Sequence, residues 1–501
     1  MNISSLLSIL ALGAAAVSAV RVLAKEPVYR EACGRPIATA ALAVVAAAAA
    51  VAIVEVCRRV DGVLPALAAV AGVLAVVAWI RARPGYGRSR GMPPGSLGVG
   101  ASLDAISDPA FYAGAARRWG PVFKMAQFHR PVVCIVGLQR GLEVLATARE
   151  SLAQPKLPFG QLSPEGYIQF MDGPVHDRYR ELFRAAINGR VISASRGDIE
   201  CVVRRQLSAM AACGGEGGVD PDPFLDRIAL AGLVRVMCGI AFDDPRLGRL
   251  EGLFEGLGQS FAERRPARRR ATFDALAALV RARGVELLAQ PDAPASVLGE
   301  ILRADPAHLR DDTVIANLVL MVQATRGSVR GLLSWILKEL SDTGWWDGTG
   351  EAGSVEARAT NVVNETLRRH QAEYFYRDVV RDFRLGPYRI RRGWLLRVCM
   401  RESHDDPAVF AEPERFDPGR FADRQYDRTE YCPFGEGSHS CLAPGVSIAI
   451  ARTLVLAVAT EFEVRVVADG PVERAGNRHW SHWRPSRRLR VAVRSGAERP
   501  A

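Results

Sequence analysis

The sequence predicts a mostly α-helical domain with a minor β-sheet, preceded by three transmembrane helices. Three observations carry that expectation. From about residue 101 onward, apolar residues recur mostly at helical spacing, and strand-like runs are few and short. Three uncharged apolar runs open the chain, Ile3–Val20, Pro36–Val54 and Gly62–Ile80. Each approaches the roughly 20 residues that cross a bilayer. A Pro- and Gly-rich stretch then separates the two regions.

The apolar runs are flanked by charge: Arg21 and Lys25 after the first, Arg58 and Arg59 after the second, Arg81 and Arg83 after the third. Basic residues are denser in the first loop and after the third span than in the second loop, so the N-terminus is expected outside and the bulk of the chain in the cytoplasm. The first eight residues carry no basic side chain, which argues against a signal peptide. The expected organisation is a membrane region over residues 1–81, a linker over 82–100 containing Met92-Pro93-Pro94-Gly95, and one large domain over 101–497.

Composition narrows the function. The 501 residues are 49% hydrophobic and carry a formal charge of +11, with lysine at Lys25, Lys124, Lys156 and Lys338 and arginine elsewhere. The basic residues are scattered and form no recognised nucleic-acid motif, so nucleic-acid binding is not expected. Nine cysteines without paired spacing argue against a disulfide framework or a zinc site.

Within the large domain, helical patterns cover Ala115–Trp119, Arg178–Ala186, Ile199–Ala212, Phe273–Gln290, Thr313–Leu340, Ala357–Arg369 and Pro444–Glu461. Val132–Val136 and Trp394–Met400 read as strands, Phe383–Ile390 as a hairpin around Leu385-Gly386-Pro387, and Leu489–Val493 as an edge strand. Glu263-Arg264-Arg265-Pro266-Ala267-Arg268-Arg269-Arg270 reads as a solvated basic loop, able to meet anionic lipid head groups.

The stretch Pro433-Phe434-Gly435-Glu436-Gly437-Ser438-His439-Ser440-Cys441-Leu442-Ala443-Pro444-Gly445 holds one cysteine in a glycine-rich loop at the mouth of a helix. Close backbone N–H groups and the helix N-terminus are expected to stabilise a thiolate there. The spacing resembles the haem-thiolate signature F-x-x-G-x-x-x-C-x-G of the cytochrome P-450 family. Phe434, Gly437 and Cys441 match it, and Ala443 replaces the last glycine.

Further motifs follow the order of that family. Glu365-Thr366-Leu367-Arg368 resembles its E-x-x-R, and Pro413-Glu414-Arg415-Phe416 the segment whose arginine completes a buried Glu-Arg-Arg network. The resemblance implies that Arg415 is the third member. His176 and Arg180 match an H-x-x-x-R, and Arg377 with Asp382 an R-x-x-x-x-D. With His439, these are the implied cationic partners of the haem propionates. Phe434 and Gly435 complete the cofactor-binding candidates. The implied cofactor is haem b, with the Cys441 thiolate as iron ligand. Ser403-His404-Asp405-Asp406-Pro407 resembles a family turn and is assigned no chemistry.

One departure bears on chemistry. Most members carry an acid and an alcohol on the long helix over the haem, and these deliver protons to iron-bound oxygen. Here the corresponding segment is Ala324-Thr325-Arg326-Gly327-Ser328. Ser328 stands for the alcohol, Gly327 replaces the acid, and Thr325, Arg326 and Ser328 are the candidate catalytic positions. Either Arg326 points to solvent or a buried carboxylate, or it projects into the distal pocket and binds an anionic substrate group. Arg-Gly-Ser-Val resembles the Arg-Pro-Thr-Val of the fatty-acid peroxygenase branch.

The resemblance implies a membrane-anchored monooxygenase that oxidises an apolar small molecule with dioxygen. Its electrons would come from a separate ferredoxin- or flavodoxin-type donor with its reductase. The alternatives are a peroxide-driven peroxygenase, a non-catalytic haem-binding membrane module, and a transmembrane scaffold whose motifs are empty.

Overall fold

The computed structural model describes residues 91–495 apart from 98–100, 102–103, 106, 128–129, 156–161, 263–264, 291, 345–353, 371–373 and 475–482. They belong to one unit, Arg90–Ala501. The three apolar runs that read as membrane spans lie outside the described residues. Among the described residues, no helix is long and apolar enough to cross a membrane.

Helices dominate, as the periodicity predicts. In chain order they are α1 (Phe111–Trp119), α2 (Leu138–Thr147), α3 (Gly173–Ala186), α4 (Gly189–Ala194), α5 (Arg196–Gly214), α6 (Asp222–Cys238) and α7 (Leu247–Ala262). Then come α8 (Pro266–Ala289), α9 (Val297–Ala304), α10 (Asp312–Thr343), α11 (Val355–His370), α12 (Met400–Ser403), α13 (Arg420–Asp423) and α14 (Pro444–Thr460). Residues 266–270, read above as part of a basic loop, instead open α8 with Pro266 in its first turn, where a missing N–H costs nothing.

The main sheet joins β1 (Gly95–Ser96), β2 (Val122–Gln127), β3 (Arg130–Val136), β4 (Leu152–Ala153), β5 (Tyr374–Val379) and β8 (Leu395–Cys399) in the order β1-β2-β3-β8-β5-β4. Strand β8 pairs parallel to β3 and antiparallel to β5, so it lies buried at the centre. The hairpin β6 (Phe383–Leu385) and β7 (Tyr388–Ile390) forms as predicted. A separate pair joins β9 (Phe462–Ala468) to β10 (Arg490–Ser495). The expected linker is corrected at its end: Met92 is buried and β1 pairs with β2. A Cβ on Gly95 would come within 2.1 Å of the Lys124 carbonyl oxygen, so this glycine is required by the close strand approach.

The core centres on α10. Asp311 caps its start, its Oδ1 accepting from the N–H of Thr313 at 2.8 Å and of Val314 at 3.2 Å. Gly344, left-handed at φ 57°, ends it. Its apolar positions belong to one large cluster shared with α5, α6, α11 and α14. A buried polar tie crosses the apolar packing: Asn317 accepts from Ile168 N at 2.8 Å and donates to the Gly166 carbonyl at 3.1 Å. This tie fixes the chain entering α3 against α10. Breaking it would strand a buried N–H at about 1–3 kcal/mol.

Candidate functional site

The thiol loop is folded by its own backbone. Gly435 N donates to Cys432 O at 3.2 Å, Ser440 N to Gly437 O at 3.1 Å, and Cys441 N to Phe434 O at 2.8 Å. Gly435 and Gly437 stand at φ +72° and +78°, where a side chain would be strained. Ala443 stands at φ −126°, so alanine fits without strain where the resemblance expects glycine. The loop is tied from below by His404, whose Nε2 accepts from Cys432 N at 3.0 Å. Burial, reinforced by the Arg368 charge, pushes His404 down to about 3, which keeps the ring neutral and able to accept. Nothing in its sequence context signals this role.

Cys441 presents exposed surface, yet burial by surrounding protein pushes its thiol up. The Ala443 N–H and Arg180 act in the opposite direction, but burial wins. The loop's own N–H thus acts in the direction expected of it, and burial outweighs it. The charge of a bound metal ion is what would deprotonate this sulfur.

Two arginines and two histidines gather beside the loop. The His176 and His439 rings stack with centroids 4.1 Å apart and planes at 28°. Arg180 donates to the Ser440 carbonyl at 3.0 Å and to its hydroxyl at 2.8 Å. Arg377, on β5, donates to the Tyr376 carbonyl at 2.8 Å. Burial lowers the Arg377 pKa, and Asp172 opposes that shift. Burial, then the charges of His176, Arg377 and Arg180, push His439 down to about 3, so the four groups are neighbours. Two acids stand beside them, Asp172 at 3.4 Å from His439 Nε2 and Asp177 at 3.3 Å from His176 Nδ1. The buried His439 Nδ1 has no hydrogen-bond partner. Two arginines, an orphaned ring nitrogen and a thiol with exposed surface fit a porphyrin with two carboxylate tails. Asp382, expected to accompany Arg377, instead accepts from Arg389 at 2.9 Å and from Arg392 N at 2.8 Å.

The Glu365 network is present with a different third member. Arg368 Nε donates to Glu365 at 2.7 Å and its Nη2 at 2.8 Å. Arg420 Nε donates to Glu365 Oε1 at 3.2 Å, with its side chain 7% exposed. Arg415, the member implied by the resemblance, is 66% exposed and pairs with Glu412. It reaches the network through its carbonyl, 3.3 Å from Arg420 Nη2.

On α10, Arg326 turns toward α6. Its Nε lies 2.9 Å from both carboxylate oxygens of Asp226, and Arg330 adds a contact at 3.5 Å. The guanidinium thus has a carboxylate within the protein. At about 3.6 residues per turn, Ala324 and Ser328 project opposite Arg326, on the side of Asn317, and Thr325 lies on the flank between. Asn317 bonds the 166–168 segment, so Ser328 shares the face that meets the approach to α3.

The cytochrome P450 family profile matches residues 359–489. The chain is 27% identical over 418 residues to abscisic acid 8'-hydroxylase 3 of Oryza sativa subsp. indica, covering 74% of this chain and 81% of that protein. It is 26% identical to ent-kaurenoic acid oxidase 1 of Hordeum vulgare, covering 78% and 90%. Its fold resembles retinoic acid-bound cyanobacterial CYP120A1 with a TM-score of 0.64 at 20% identity, covering 81% of this chain and 99% of that one.

Proposed function

We propose that the chain is an oxidoreductase of the cytochrome P450 type with haem b as its cofactor, and infer a substrate class from its relatives. The substrate is an apolar, isoprenoid-type carboxylic acid, and the reaction is its oxidation by one oxygen atom. The observation that carries this reading is that two relatives matched over most of the chain are named for such acids, abscisic acid and ent-kaurenoic acid.

Haem b, when bound, supplies the activation of dioxygen, with a thiolate ligand favouring O–O cleavage. The rest falls to this chain. Cys441 would hold the haem iron through its sulfur, with the Ala443 N–H and Arg180 favouring the thiolate. Arg180 and Arg377 would hold the propionates by charge, and His176 and His439 by hydrogen bonds. Phe434 and Gly435 give the loop its bend. Glu365, Arg368 and Arg420 tie α11 to the segment that leads into the loop. Ser328 holds a water for proton delivery, and Gly327 leaves room for it where an acid is absent. Thr325 borders that face. Arg326 is held by Asp226, which favours the monooxygenase reading over a peroxygenase that uses Arg326 to bind the substrate acid.

Electrons come from a separate ferredoxin- or flavodoxin-type donor. The apolar runs 3–20, 36–54 and 62–80 serve as a membrane anchor, which brings an apolar substrate to the enzyme from lipid. The test is turnover of abscisic acid and ent-kaurenoic acid by the haem-loaded protein with a donor and its reductase. A product heavier by one oxygen is expected. Turnover restricted to hydrogen peroxide, or to neutral apolar compounds, would refute the reading.

A further inference from the structure

The β6–β7 hairpin and its flanks carry a surplus of positive charge. Residues 381–392 hold Arg381, Arg384, Arg389, Arg391 and Arg392 against one acid, Asp382. All of these arginines are exposed. Asp382 is already engaged within the hairpin, since it pairs with Arg389 at 2.9 Å and accepts from the Arg392 N–H at 2.8 Å. The strand register sets Arg384 directly opposite Arg389, and like charges so placed repel. The neighbouring turn Arg149–Ser151, whose Ser151 carbonyl accepts from Val380 N at 2.9 Å, adds Arg149 and Glu150 and leaves the surplus unchanged. Val380, at the base of the hairpin, is 39% exposed. The place of the hairpin in the chain gives this charge a use. Arg389 N donates to the Gly91 carbonyl at 2.6 Å. Gly91 follows the stretch 81–90, which holds Arg81, Arg83, Arg88 and Arg90 and begins where the third apolar run ends. A chain of that length spans at most about 40 Å, so Gly91 stays within that reach of Ile80.

We propose that the β6–β7 hairpin is a docking surface for the anionic head groups of a lipid bilayer, acting beside the basic stretch 81–90. It draws on the membrane-anchor reading for its nearness to lipid and is independent of the substrate. Negatively charged lipid supplies what Asp382 alone cannot. It gives counter-charges to Arg381, Arg384, Arg391 and Arg392 and relieves the repulsion between Arg384 and Arg389. Guanidinium forks match the oxygens of a phosphate. Each arginine close to such a surface strengthens the contact about five-fold, and the attraction fades within about 8 Å at physiological salt.

The test is hydrogen exchange of the haem-loaded full chain in nanodiscs of phosphatidylcholine alone and of an equal mixture with phosphatidylglycerol. Amides of residues 380–393 are expected to exchange a few-fold more slowly in the anionic discs, and the difference is expected to vanish in molar salt. The triple variant R384Q/R391Q/R392Q is expected to lose the difference while keeping its haem absorption, since these exposed side chains fill no core space. Equal exchange in the two lipids, or slowing that survives in the triple variant, overturns the proposal. Slowing in phosphatidylcholine discs on addition of inorganic phosphate or of a ferredoxin overturns it too, by giving the surface a soluble occupant. A full chain that stays in solution without lipid or detergent overturns the anchor reading. The same exchange comparison on vesicles of the two compositions then decides the hairpin by itself.

Discussion

Arg326 and Asp226 form a two-pronged ion pair between α10 and α6, with Arg326 Nε 2.9 Å from each carboxylate oxygen. Both side chains are mostly buried, at 16% and 19% exposure. Removing one partner would leave the other poorly solvated. Arg326→Ala is therefore expected to lower stability by about 1–3 kcal/mol, read by thermal or denaturant unfolding. Its effect on binding is expected to be the same for acids and for their neutral esters. Selective loss of acid binding would return Arg326 to the pocket.

Cys441→Ser is expected to abolish the reduced, carbon-monoxide-bound absorption band of thiolate ligation. The protein should remain folded, because serine is nearly the size of cysteine and the loop is held by its own backbone bonds. A retained band would assign the axial sulfur to another residue.

Arg420 and Arg415 separate cleanly. Arg420→Ala leaves Glu365, which is fully buried, short of one charge partner. A cost of about 3–5 kcal/mol is expected, together with poor haem incorporation. Arg415→Ala, at an exposed site, should stay within about 0.5 kcal/mol. Unfolding curves of the two variants decide between them.

Arg377→Leu removes a buried cation from the group beside the thiol loop. Faster haem transfer to apomyoglobin is expected, with the Cys441 band retained while haem remains bound. An unchanged transfer rate would place the propionates elsewhere.

Burial of His404 sets a pH dependence. Its ordinary value of 6.5 falls to about 3 in the fold. Between those values the unfolded chain takes up a proton that the folded ring does not. Stability is then complete above about 6.5 and is lost as pH falls toward 3. His404→Gln keeps an acceptor and removes the titration, so its stability should fall less steeply over that window. Parallel slopes for the two proteins would count against a buried neutral ring.

What the sequence determined by itself was local. Helical periodicity located α3, α5, α8, α10, α11 and α14. Glycine chemistry marked the bend before Cys441, and the E-x-x-R spacing set the Glu365–Arg368 pair, because a helix brings residues three apart onto one face. Several elements carried no legible signal: α6 is apolar nearly all round, and β5 has no clean alternation. The tertiary structure decided the pairings across the chain. Arg420 reaches Glu365 from 55 residues away, and Asp226 meets Arg326 from 100 residues away. Several arginines were available for each carboxylate. Which of them is buried beside it depends on how the helices pack, and no spacing rule encodes that. The same holds for Cys441, whose loop was readable while the burial that raises its thiol pKa was not.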